Sequence, residues 1–70
     1  MGERCAVERR LEAGRAHYRA VAGGRVVART VGFDPDDAGA DAAALDQMDG
    51  VLRALGWRPA RTDGPQYERG

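Results

Sequence analysis

The side chains that most often build a catalytic centre are present here in single copies. His17 is the only histidine, Cys5 the only cysteine, and serine is absent, leaving Thr30 and Thr62 as the only aliphatic hydroxyls. A general base works only with a nucleophile or an acid in reach, and Cys5 with His17 is the one combination that could form a thiolate pair. If residues 4–11 and 15–21 are strands joined by a three-residue turn, Arg9 faces His17 and Cys5 lies two pairs further along. Tyr18, adjacent in sequence, then points to the other face. No convergent acid–base set emerges, so the chain reads as non-enzymatic, with His17 an ordinary sheet histidine.

Metal chemistry fares no better. A single cysteine allows neither an intrachain disulfide nor a CxxC ligand pair. Asp34-Pro35-Asp36-Asp37-Ala38-Gly39 imitates the start of a calcium loop, with acids at its first and third positions and glycine at its sixth. The fifth position is Ala38 and the twelfth Leu45, so the bidentate carboxylate that closes such loops is missing. These aspartates read instead as helix-capping residues, and no cofactor is expected.

Charge is the informative property. The 70 residues hold 11 basic and 11 acidic side chains, and every basic one is arginine. Arginine without lysine, alongside abundant alanine and glycine, matches the coding bias of a GC-rich bacterial or phage genome. The zero net charge conceals a partition: residues 1–33 carry a net of +4, residues 34–50 carry six aspartates and no cation, and residues 51–70 carry +2. Such a layout bears on association more than on fold.

The elements that must position these charges follow from period and punctuation. Gly14-Arg15-Ala16-His17-Tyr18-Arg19-Ala20-Val21 repeats ten residues later as Gly24-Arg25-Val26-Val27-Ala28-Arg29-Thr30-Val31. Ten residues are one strand plus one turn, hence a meander. With Ala22-Gly23-Gly24 as a three-residue loop, Val21 pairs with Arg25 and Ala20 with Val26. Tyr18, Ala20, Val26, Ala28 and Thr30 then share one face; His17, Arg19, Val21, Arg25, Val27, Arg29 and Val31 share the other. Residues 4–13 admit two readings. The alternation of Cys5, Val7, Leu11 and Ala13 suits a strand; their good helix formers, followed by Gly14, suit a helix.

Residues 34–55 predict a helix, with Asp34 as N-cap before Pro35, Asp36 and Asp37 at the positive end of the dipole, and Gly56 as terminator. Leu45, Met48, Leu52 and Leu55 form its apolar stripe. Asp49 and Arg53 are spaced to pair. Trp57–Arg61, an Asp63-Gly64 turn and Gln66–Arg69 read as a terminal strand or hairpin.

The expectation is thus one small α+β domain spanning residues 1–70. It comprises an antiparallel meander (about 4–31), one helix (about 35–55) packed on one face, and a C-terminal strand or hairpin (about 57–69). Its core candidates are Tyr18, Ala20, Val26, Ala28, Phe33, Leu45, Met48, Leu52, Leu55 and Trp57. Of 30 hydrophobic residues 13 are alanine, so the core is thin. A domain this small commonly gains stability from a partner; a homodimer or a small accessory protein is expected.

Two binding surfaces stand out: a basic sheet face of Arg15, His17, Arg19, Arg25 and Arg29, and an acidic helix bearing Asp37, Asp41, Asp46 and Asp49. They suit a protein-interaction module, in one form a phage or mobile-element inhibitor acting by charge complementarity. The alternative is a nucleic-acid-binding regulator using the arginine face, although sheet readers of RNA expose aromatics there and Tyr18 falls on the other side. No apolar run approaches the roughly 18 residues of a membrane span, and Met1-Gly2-Glu3-Arg4 does not open an apolar signal segment. A cytoplasmic protein is expected.

Overall fold

A computed structural model describes residues 2–60 and 66–70. The chain runs β1 (Glu3–Glu12), β2 (Arg15–Ala22), β3 (Arg25–Arg29), α1 (Ala38–Ala54), β4 (Arg58–Pro59) and β5 (Gln66–Arg69). All pairings are antiparallel, and the sheet order is β3-β2-β1-β5-β4. The α+β architecture expected from the sequence is present, with residues 4–12 in strand and Ala13 in the turn that follows. Ladder partners on both sides of β1, namely β2 and β5, outweigh its helix propensity. The expected Asp63-Gly64 turn and the end of the Trp57–Arg61 segment lie outside the described residues.

Both early hairpins turn on two residues in the left-handed region: Ala13 (φ 51°) with Gly14 (φ 77°), and Gly23 (φ 57°) with Gly24 (φ 80°). Paired positive φ values match the twist of the flanking strands, so the second loop is one residue shorter than expected. Val21 therefore faces Val26 and Ala22 faces Arg25, and a bulge at Val27 restores Ala20 to Ala28 and Arg19 to Arg29. This corrects the face assignment. Val26 leaves the core side and is exposed, while Val27 packs against the core. Arg25 moves to the helix-facing parity, away from Arg19 and Arg29. Ala13 holds a conformation costly for a residue with a Cβ, so Ala13→Gly should raise stability by about 1 kcal/mol in urea denaturation.

The helix starts later than expected. Asp37, not Asp34, is the N-cap, its carboxylate accepting from the Ala40 N–H at 3.0 Å. Asp34 instead accepts from the Asp36 N–H at 2.9 Å, an Asx turn that leaves Pro35 ahead of the helix. At the other end Gly56 (φ 92°) lets its own N–H reach the Arg53 carbonyl and the Trp57 N–H reach Leu52, a Schellman closure.

The helix packs over β2 and β3 on one face of the sheet. The core comprises Cys5, Val7, Ala16, Tyr18, Ala20, Phe33, Ala44, Met48, Leu52 and Trp57. Leu45 and Leu55, expected inside, are exposed, because the buried ridge runs Ala44–Met48–Leu52 at four-residue steps. Leu45 lies one residue around the cylinder from that ridge, and Leu55 sits at the cap. Tyr18 stacks on Phe33 with centroids 5.9 Å apart, and the Arg69 guanidinium lies 4.4 Å over the Trp57 ring.

Candidate functional site

Because the one described helix covers one face, the opposite face of the sheet is open. The register defines it row by row. Gln66, Ala6, Val21 and Val26 form a weakly polar band across four strands. On one side of it lies the row Glu8–Arg19–Arg29, followed by Arg10–His17 and Glu12–Arg15. On the other side lies Arg58–Glu68–Arg4. Six arginines against three glutamates leave this face with an excess of three positive charges.

Of the expected basic-face residues, Arg15, His17, Arg19 and Arg29 are brought together here and Arg25 is not. Arg4, Arg10 and Arg58 also belong to the face. Arg10 was within reach of sequence reasoning, since it shares the parity of Glu8 and Glu12 once residues 4–13 are a strand. Arg4 and Arg58 depended on the pairing of β5 with both β1 and β4, a long-range contact that no local pattern announces.

Two of these cations are spoken for. Arg19 pairs with Glu8 at 2.9 Å, and Arg15 donates to the Gly32 carbonyl at 2.9 Å. Arg4, Arg10, Arg29 and Arg58 have no hydrogen-bond or ion-pair partner among the described residues. An exposed guanidinium costs nothing to leave hydrated, and it offers a planar fork of donors to a carboxylate or phosphate. Among the described residues no Phe, Tyr or Trp side chain shares this face, since Tyr18 and Tyr67 both occupy the helix side.

The acidic helix is used differently from expectation. Asp37 caps the helix. Asp41 accepts the Tyr18 hydroxyl and pairs with Arg9 at 3.3 Å, tying the first helical turn to the sheet. Asp49 accepts the Tyr67 hydroxyl at 2.6 Å and Arg53 at 2.9 Å, tying the last turns to β5. Only Asp46 of the four is exposed without a partner among the described residues. Asp41 and Asp49 therefore hold the helix on the sheet. Charge segregation holds only in part: glutamates are interleaved with the arginines of the open face, and on the helix side Arg9 and Arg53 pair with Asp41 and Asp49.

Burial first, then the neighbouring Asp49 carboxylate, pushes the Tyr67 hydroxyl up to about 12. Burial followed by Asp41 likewise raises Tyr18. The same contacts lower Asp49, with the Tyr67 hydrogen bond the leading cause. A raised tyrosine favours the folded state fully below its unfolded value of about 10 and loses that contribution as pH climbs toward its folded value. Stability should fall between about pH 10 and 12, and Tyr67→Phe should flatten the decline. Urea midpoints at about pH 9 and 11.5 for both proteins check this.

Cys5 and His17 fall on opposite faces of the sheet, so the only sequence-level catalytic pair is separated by the backbone layer. Burial raises the Cys5 thiol, which weakens it as a nucleophile. Among the described residues no group of three or more His, Cys, Asp or Glu side chains could hold a metal ion. No helix among the described residues is long and apolar enough to cross a membrane. No protein-family model, curated protein or solved structure matches the chain.

Proposed function

We propose that this chain is a non-enzymatic binding module that docks an acidic protein partner on the open face of its sheet, as a small inhibitor or accessory protein would. The observation that carries the reading is the apolar Ala6–Val21–Val26 row, flanked on one side by Arg29 and on the other by Arg4 and Arg58, none with a partner among the described residues. An apolar strip gives a docking surface something to desolvate, and flanking guanidinium groups select carboxylates and speed encounter. The helix aspartates support this surface from behind by fixing the helix to the other side.

Nucleic acid is the competing occupant, because four unpaired guanidinium groups could equally meet phosphates. It is disfavoured by the missing stacking platform and by the interleaved Glu8, Glu12 and Glu68. Capture from a cell lysate by the wild type, by Asp46→Asn and by Arg10→Glu/Arg29→Glu separates the outcomes. A protein retained by the first two and lost from the third supports the reading. Duplex DNA or RNA bound with an affinity falling steeply with salt, and lost in the same arginine variant, contradicts it.

A further inference from the structure

The sheet ends on one side at β3, and among the described residues no strand pairs with its outer edge. We propose that this edge accepts an extended acidic segment of the partner as a sixth strand. The inference rests on the binding-module reading and names how such a partner would engage.

An open edge offers unpaired backbone groups to any strand, including a second copy of itself. Self-pairing is opposed by charge. A second copy would add two more arginines to an edge that already carries Arg25 and Arg29, and β3 has no carboxylate to offset them. Both guanidinium groups lack partners among the described residues, so each is open to a carboxylate. The edge is therefore guarded against its own kind and complementary to acid.

The bulge fixes the spacing of that acid. A regular strand already lies along β3 on its inner side. There β2 meets Arg29 with Arg19 and Arg25 with Ala22, three residues apart, because Val27 is the extra residue. A regular strand on the outer side meets the same two arginines with positions three apart, one on each face of the sheet. Between them it places a small residue beside Ala28 and an apolar residue beside Val26. The matching segment reads carboxylate, small, apolar, carboxylate; Glu-Ala-Val-Glu is its simplest form. Main-chain hydrogen bonds would supply affinity and the alternating side chains specificity, as in other cases of strand addition.

The test uses an eight-residue peptide with Glu-Ala-Val-Glu at its centre. A twin is methylated on the backbone nitrogens that would face β3, and both are titrated into the full chain at low salt. The expected result is amide shifts and slowed exchange concentrated at Arg25–Arg29. Arg25→Glu should bind about tenfold more weakly, since it exchanges one exposed attraction for a repulsion, and the methylated twin at least tenfold more weakly. Equal binding of the twin, absence of perturbation at residues 25–29, or a dimer that the peptide dissociates would each overturn strand addition. Arg25 lies off the open face, so the two ideas fail separately. Loss of partner binding in Arg10→Glu alone leaves the face standing without the edge, and loss in Arg25→Glu alone does the reverse.

Discussion

Leu52→Ala should lower the unfolding free energy by about 2–5 kcal/mol, the range for truncating a fully buried leucine. Leu52 is 0% exposed and sits at the end of the Ala44–Met48–Leu52 ridge. A chain of this length has roughly 4–10 kcal/mol in total by the usual per-residue stability, so the variant should be partly unfolded at 37 °C. The sole tryptophan, Trp57, is buried, with its backbone N–H donating to the Leu52 carbonyl, which makes its fluorescence a direct reporter of urea denaturation. A loss below about 1 kcal/mol would mean that the helix does not seal the core as described. Leu45→Ala, at 40% exposed, should cost far less and serves as the contrast.

That contrast also shows where sequence reasoning stops. Leu45 and Leu52 are equally apolar, and spacing alone put both on the helix stripe. What separates them is the sheet, whose buried contributions include Ala16 and Ala20, with Ala44 facing from the helix. Ala20 was expected in the core, whereas the buried Ala16 and Ala44 were not. Yet small residues on both sides decide which helical ridge meets the sheet. The strands β2 and β3, the turns at Gly14 and Gly24 and the helix terminator Gly56 were legible because each depends on local backbone chemistry, whereas β1 was left open between strand and helix. The register of β3 was not, because one residue of loop length and one bulge reverse the faces, and nothing in Val26-Val27-Ala28 distinguishes the alternatives. Arg25 was misplaced for that reason. The acidic helix was misread for another: hydroxyls of Tyr18 and Tyr67, 23 and 18 residues away in sequence, claim two of its aspartates.

The second large effect concerns binding. Reversing both Arg10 and Arg29 should weaken partner affinity by on the order of a hundredfold, since each reversal replaces an attraction with a repulsion worth about 1–2 kcal/mol at a contact excluded from water. Contacts excluded from water are screened little, so most of the effect should persist in high salt. Neither arginine has a hydrogen-bond or ion-pair partner among the described residues, so folding should be nearly unaffected. Calorimetry on the captured partner at two salt concentrations, with thermal melts of the variant alongside, separates affinity from stability. A variant that binds as the wild type does would remove the arginines from the interface.

The open sheet face as the docking surface is tested most directly by cross-saturation NMR of the labelled chain with its unlabelled captured partner. Saturation should reach the amides of Ala6, Arg10, His17, Val21 and Val26 and spare those of Leu45, Asp46 and Val51 on the helix. Transfer concentrated on the helix, with the sheet residues silent, would contradict the account.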